Sequence, residues 1–284
     1  MHCMKRLSIL SLLLGYGFVV APSVGEEINR RPIEGIADNS FFVEEAYNQE
    51  PGVVQHIMTA LYHTSKRSID EGVWELGFTQ EWPVFSQDHQ FSYTVPYHFL
   101  NGRTDQHGIG DVQLDYRYQL LFDETSLLAL SPRAGIILPT GDADRGLGED
   151  AVGFEVNVPF SMALGDRWYA HLNVGTTLIP DAQSADRRDL WHYNVGASAI
   201  YAISSDLHLM LEWVGGWEQS ARTSGRLAHR YSHVISPGVR KAFNFQNGAQ
   251  CVAGFAIPFG LNRAAPDIGA FVYVSFEHAL KRPE

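Results

Sequence analysis

Hydrophobic and polar residues alternate one by one along most of the chain after residue 55. Within residues 111–120, Val112, Leu114 and Tyr116 share one face while Gln113 and Asp115 share the other, because successive side chains of a β-strand point to opposite sides. A period of two predicts β-strands. Twelve such segments can be distinguished, at residues 55–64, 72–82, 89–99, 109–122, 126–138, 151–163, 167–179, 190–203, 206–217, 229–243, 248–259 and 267–280.

The lengths of these segments and of their connections indicate a membrane barrel. Strands of globular proteins average about 5–6 residues, whereas a tilted strand that crosses a bilayer needs about 9–11. Short and long connections alternate along the chain, as in outer-membrane barrels. Because lipid offers no hydrogen-bond partners, the sheet must close on itself. The short connections are expected at residues 83–88, 123–125, 164–166, 204–205 and 244–247, the longer ones at 65–71, 100–108, 139–150, 180–189 and 218–228, and one of moderate length at 260–266.

The predicted fold is therefore all-β: a transmembrane, antiparallel, up-and-down barrel of about twelve strands that occupies residues 55–284. Residues 1–25 read as a cleaved secretory signal peptide, with Lys5 and Arg6 before an apolar stretch. Residues 26–54 lack alternation and are expected to form a periplasmic segment or a plug inside the barrel. A short helix is predicted at residues 39–51, because Ser40 can cap its first turn and Pro51 can end it.

Composition and charge argue against some classes of function. The chain is 45% hydrophobic, which is ample for a folded core, and its net charge is −11. An acidic chain is a poor match for nucleic acid, since phosphate binding needs clustered lysines and arginines. Loss of the first 25 residues would remove Cys3 and leave Cys251 as the remaining cysteine, so no disulfide within the chain is predicted.

The polar face of the strands is the main candidate for function. Polar groups are costly in lipid but tolerated in a wet or well-paired barrel interior, and two interpretations stay open. The side chains form a hydrogen-bonded network that fills the barrel, or they line a pathway for solutes. The lumen-lining transport candidates are Gln90, His98, Asp111, Gln113, Asp115, Arg117, Glu155, Asn157, His171, Asn173, His192, His208, Glu212 and Arg240.

Several longer motifs carry a resemblance to a known family. They are Phe41–Glu50, Gly52–His56, Phe78–Pro83, Gly108–Val112, Tyr116–Tyr118 and Leu138–Asp142. With these motifs the chain resembles the outer-membrane barrel family described as "putative MetA-pathway of phenol degradation", whose members are broadly called transporters. The resemblance implies an outer-membrane barrel that passes small molecules, including hydrophobic or aromatic ones. It supplies no catalytic residues.

The sequence thus predicts a passive, porin-like channel in a Gram-negative outer membrane, with no enzymatic activity, cofactor or metal site. The expected partners are outer-membrane lipids, small-molecule solutes and the barrel-assembly machinery, and not nucleic acid; the transported solute, gating and oligomeric state stay open. One alternative is a structural barrel with a filled lumen. Another is a lipid-modifying enzyme, for which Ser198 or Ser232 with His192 or His171 would have to pair at the outer rim.

Overall fold

The structure of the chain is a computed structural model. It describes residues 35–36, 40–65, 68–100, 105–182, 187–221 and 227–280. The predicted signal peptide and residues 26–34 lie outside the described residues.

Twelve antiparallel strands form the wall of the barrel. Three of them are interrupted by short irregularities that still form backbone hydrogen bonds to the next strand, such as Gly110 to Pro96 and Ile257 to Pro237, and we treat their pieces as one strand. The strands are β1 (Val53–Ser65), β2 (Ser68–Val84), β3 (Ser86–Leu100), β4 (Gln106–Ile109, Val112–Tyr118 and Leu121–Asp123), β5 (Leu128–Leu130 and Arg133–Leu138), β6 (Gly153–Ala163), β7 (Trp168–Ala182), β8 (Arg188–Ser204), β9 (Leu207–Ala221), β10 (Leu227–Asn244), β11 (Gln250–Ala256 and Phe259–Gly260) and β12 (Ile268–Ala279).

The sheet closes because the first strand pairs with the last. β1 runs antiparallel to β12 from the pair Val53–Ala279 to the pair Thr64–Ile268, and every other strand pairs with its neighbours in the sequence. The twelve-strand barrel predicted from the alternation is therefore confirmed. Closure satisfies the backbone amides and carbonyls that an open edge would leave to the lipid.

The two faces of the wall are inverted relative to a soluble protein. On β7, Leu172 and Val174 point outward and are 50% and 59% exposed, whereas the alternating His171 and Asn173 point inward and are buried. The same pattern recurs on β6, where outward Phe154 and Val156 alternate with inward residues. An apolar outer band around a polar interior is the arrangement that a bilayer requires.

Most strands extend a few residues beyond the predicted ends, because polar residues continue the ladder outside the apolar band. One example is at residues 65–71, predicted as a long connection: β2 begins at Ser68, and Ser65 pairs with it. The predicted helix at residues 39–51 is wrong for the described part, which has no helical turn. Within the described ranges the helical structure is one 3₁₀ turn, Ala143–Arg145, and no helix is long and apolar enough to cross a membrane.

Candidate functional site

The segment that precedes β1 lies inside the barrel. We call its described residues, 35–36 and 40–52, the plug. At one end the carbonyl of Gly35 accepts a hydrogen bond from Gln250, the first residue of β11 (3.2 Å). At the other end the Tyr47 hydroxyl donates to the carbonyl of Leu127, just before β5 (2.6 Å). Both contacts are at the end of the barrel where the short turns lie, so the plug enters and leaves there, and we call residues 42–44, between these ends, its apex.

Side chains of the wall hold the backbone of the plug. The Glu212 carboxylate on β9 accepts hydrogen bonds from the amides of Phe42 and Val43, at 2.9 and 3.1 Å. Three further amides are bound in the same way by strands on other sides of the barrel: Glu44 by Asn173 on β7, Ala46 by Ser161 on β6 and Gln49 by Gln90 on β3. A helix that begins at Ser40 would use the amides of Glu44, Ala46 and Gln49 for its own backbone bonds, and their engagement by the wall explains why the predicted helix is absent.

Arg133 on β5 joins the plug to two strands. Its guanidinium group donates to Glu44 of the plug (3.0 Å), to Asp115 on β4 and to Glu155 on β6 (2.6 Å). Gln113 links the last two carboxylates by donating to both of them. One cation therefore faces three anions in the interior, and the planar guanidinium group offers the several donors that such a junction needs.

Arg117 on β4 is a second anchor for the plug. Its Nη1 donates to the Glu44 carboxylate at 3.1 Å, and its Nε and Nη2 donate to Asn48 Oδ1 and to the carbonyl of Tyr47, both at 2.9 Å. Burial alone would raise the pKa of Glu44, but the guanidinium groups of Arg133 and Arg117 outweigh it and lower that pKa. Glu44 therefore stays ionised at neutral pH, and its attraction to the wall is lost only as the pH falls through the lowered pKa.

Other predicted lumen residues pair with the plug or with one another. Asn157 donates to Glu44 (2.8 Å), and His208 on β9 lies 3.4 Å from the Nε of Arg240 on β10. His171 Nδ1 lies 2.7 Å from the Ser161 hydroxyl, and both residues are buried under the plug. This serine–histidine pair is neither at the outer rim nor one of the pairs considered from the sequence.

Three predicted residues lie away from the described part of the plug, toward the long connections. Asp111 accepts hydrogen bonds from the amides of Gly141 and Glu149, both at 2.9 Å, and so fixes the connection between β5 and β6. His98 faces Glu75 across the β2–β3 ladder, and His192 faces Thr177 across the β7–β8 ladder. For all fourteen residues that were predicted to line the lumen, a role in transport stays a prediction.

The interior has an apolar side that the sequence did not reveal. Phe41 of the plug packs against Phe271 and Tyr273 of β12, with ring centroids 5.3 and 5.6 Å apart. Ile36 joins the same cluster, together with inward residues of β8 to β12 and β1. The plug therefore has an ionic side toward β4–β6 and an apolar side toward β8–β12.

Two cavities remain beside the apex of the plug. The larger, of about 340 Å³, is polar and is lined by Glu81, Thr94, Asp115, Arg133 and Glu155. The smaller, of about 120 Å³, lies on the apolar side. Phe42 lines both. The described part of the plug thus occupies the short-turn half of the lumen in part, and both cavities adjoin it.

Replacing Glu212 with alanine is expected to loosen the apex of the plug. The amides of Phe42 and Val43 would lose their acceptor, and a buried unsatisfied donor costs about 1–3 kcal/mol. Proteolysis that follows the open population should speed up about tenfold for every 1.4 kcal/mol. The measurement is the rate of cleavage within residues 40–52, read by mass spectrometry.

The matched control for this variant is Glu218→Ala, which removes a carboxylate from the exposed end of the same strand. We expect Glu218→Ala to leave the cleavage rate unchanged. Equal rates for the two variants would show that Glu212 does not hold the plug.

Solved structures with this architecture include channels and porins. An outer membrane channel from Pseudomonas putida F1 superposes with a TM-score of 0.65 at 13% identity, over 82% of this chain and 97% of that one. The NanC porin superposes with a TM-score of 0.50 at 9% identity, over 80% and 99% of the two chains. At sequence identities of 13% and 9%, these superpositions show that the chain shares the fold of the two proteins.

Comparison by sequence gives the family. No curated protein matches the chain significantly. The family model described as "Putative MetA-pathway of phenol degradation" matches residues 39–276, a range that begins in the plug and ends in β12. The chain belongs to this family.

Proposed function

We propose that the protein is a passive channel in a bacterial outer membrane and that it passes small molecules, including apolar or aromatic ones. The observation that carries the proposal is a closed barrel with an apolar outer band, whose interior keeps cavities of about 340 and 120 Å³ above the plug. A barrel that served only as a scaffold would have no need of open space in its lumen. The channel and porin folds of the two structural neighbours support the same assignment.

The orientation of the barrel in the membrane can be inferred from the end that carries its termini and short turns. The termini of the barrel and the short turns share one end, which in outer-membrane barrels faces the periplasm. The plug enters from that end, so it stands between the periplasm and the cavities. Passage across the membrane then requires the plug to shift, and the proposed channel is one whose conductance depends on residues 26–54. Export by a signal peptide and insertion by the barrel-assembly machinery are part of this proposal.

The proposal also includes the absence of enzymatic activity. The buried serine–histidine pair, Ser161 and His171, lies beneath the plug, and Ser161 already accepts the amide of Ala46. A hydrolase needs its nucleophile within reach of substrate and beside an oxyanion site. We therefore assign this pair to the anchoring of the plug.

Conductance in planar lipid bilayers tests the proposal. Refolded protein that begins at residue 26 is compared with a form that lacks residues 26–49. We expect small, well-defined conductance steps from the first form and severalfold larger steps from the second, because the short-turn half of the lumen is then unobstructed. Silence of both forms would overturn the channel, and equal steps would overturn the role of the plug.

A further inference from the structure

The smaller cavity is lined mainly by apolar side chains, whereas the larger one is lined mainly by polar side chains. It lies inside the barrel, between the plug and the strands β1, β9, β10 and β12. Its main lining residues are Phe42, Leu61, His63, Val214, Val234 and Pro258. Val214 lies two residues beyond Glu212 on β9, and therefore shares the inward face on which Glu212 binds the plug. The cavity is an apolar recess that adjoins the apolar side of the plug.

The recess offers few groups that can hold water. Among the described lining residues, His63 is the one with a polar side chain, and its Nε2 lies 2.9 Å from the Glu75 carboxylate, which engages it. A buried water needs two to four polar partners, whereas apolar cavities stay dry and take up apolar molecules. The free energy of binding would come from moving the apolar surface of the solute out of water.

The size and the walls of the recess select a compact solute. Its volume is about 120 Å³, close to the roughly 150 Å³ of an apolar protein cavity that binds benzene. Phe42 forms the side toward the plug, and its ring packs on Phe271 with centroids 4.7 Å apart. An aromatic solute would therefore meet an aromatic face that is already fixed in place, and rings in such pairs prefer tilted or offset contact.

We propose that this recess is a binding site for a neutral, apolar molecule of about one aromatic ring, held against Phe42 at the apex of the plug. This inference rests on the proposed function, because a solute bound in the recess lies where the plug must move for the channel to open. It narrows the solute class from small molecules in general to ring-sized apolar ones. The polar cavity lies on the other side of Phe42.

Bromobenzene is the probe, because its bromine gives an anomalous diffraction signal. Crystals of the refolded protein are soaked with bromobenzene, and binding in solution is followed through the intrinsic fluorescence of the protein, with detergent alone as the blank. We expect one saturable site, with bromine between Phe42 and Val214. An alkyl chain of the detergent that fills the recess and is not displaced, or the absence of saturable binding, would overturn the site.

Two variants with a matched control locate the binding. Val214→Phe fills the recess and should weaken bromobenzene binding at least tenfold, while Val174→Phe adds the same ring to the lipid-facing surface of β7 and should leave binding unchanged. Val214→Thr keeps the shape of the side chain and adds a hydroxyl, so it should weaken binding severalfold even if Val214→Phe folds poorly. Equal affinities for Val214→Thr and Val174→Phe would refute the site.

Conductance of the same samples separates this inference from the proposed function. Bromobenzene binding without any conductance would support the recess and remove the channel. Conductance with no binding would support the channel and remove the recess. If both proposals are correct, wild-type protein conducts and binds, and bromobenzene reduces its conductance while leaving that of Val214→Phe unchanged.

Discussion

Arg133→Ala is expected to be the most destabilising single substitution in the interior and to release the plug. Within the part of the chain that the structure describes, Arg133 is the cation paired with Asp115 and Glu155, and it shares Glu44 with Arg117. Removing one partner of a buried ion pair costs about 3–5 kcal/mol, because the remaining charges stay buried and uncompensated. The free energy of unfolding, measured by denaturant titration in lipid vesicles, should fall by about this amount.

The same variant should change the channel as well as the stability. With Arg133 removed, Glu44 retains Arg117 but lies near two carboxylates that repel it. We expect longer and more frequent openings in bilayer recordings and faster cleavage of the plug by protease. Both changes share one cause, so they should appear together.

Two controls distinguish this ionic junction from a general loss of charge. Arg133→Lys keeps the charge but loses the planar fork, and should fall between wild type and Arg133→Ala. Arg145→Ala removes an exposed arginine that binds Gln106 and the backbone of His107, and should change neither stability nor openings. If Arg133→Ala behaved like Arg145→Ala, the junction would not hold the plug.

The wall of the barrel could be predicted because its determinants are local. Outward Leu172 and Val174 and inward His171 and Asn173 follow directly from the period of two along β7. Strand ends were less accurate, since the ladder continues through polar residues such as Ser65 and Ser68 once it has left the apolar band. The pleat of a strand determines which side chains point inward and which point outward, but the hydrophobic pattern identifies only the part of each strand that contacts lipid.

The interior could be predicted only in part, because its partners are distant in sequence. Ser40 looked like a helix cap but lies 2.7 Å from the hydroxyl of Ser198. Arg133 was missed because Pro132 interrupts the alternation just before it. The signal available in the sequence was a basic residue in a mostly apolar strand, next to strands that carry Asp115 and Glu155. Which carboxylate of the plug meets it depends on the path of the plug through the barrel.

Locking the plug with a disulfide is expected to abolish conductance. Ser40 on the plug and Ser198 on β8 are buried, with their hydroxyl oxygens 2.7 Å apart. Cysteines at both positions bring two sulfurs within bonding reach, and Cys251→Ser removes the other cysteine of the chain that begins at residue 26. A covalent bond there holds the apolar side of the plug to the wall.

The single-channel conductance of this Ser40→Cys, Ser198→Cys, Cys251→Ser protein, before and after a reducing agent is added, tests the central claim most directly. A protein with Cys251→Ser alone controls for the reductant. We predict that the oxidised protein is silent and that reduction restores the openings of the control within the same bilayer. Conductance that is the same in the oxidised and reduced forms would contradict a channel closed by its own N-terminal segment.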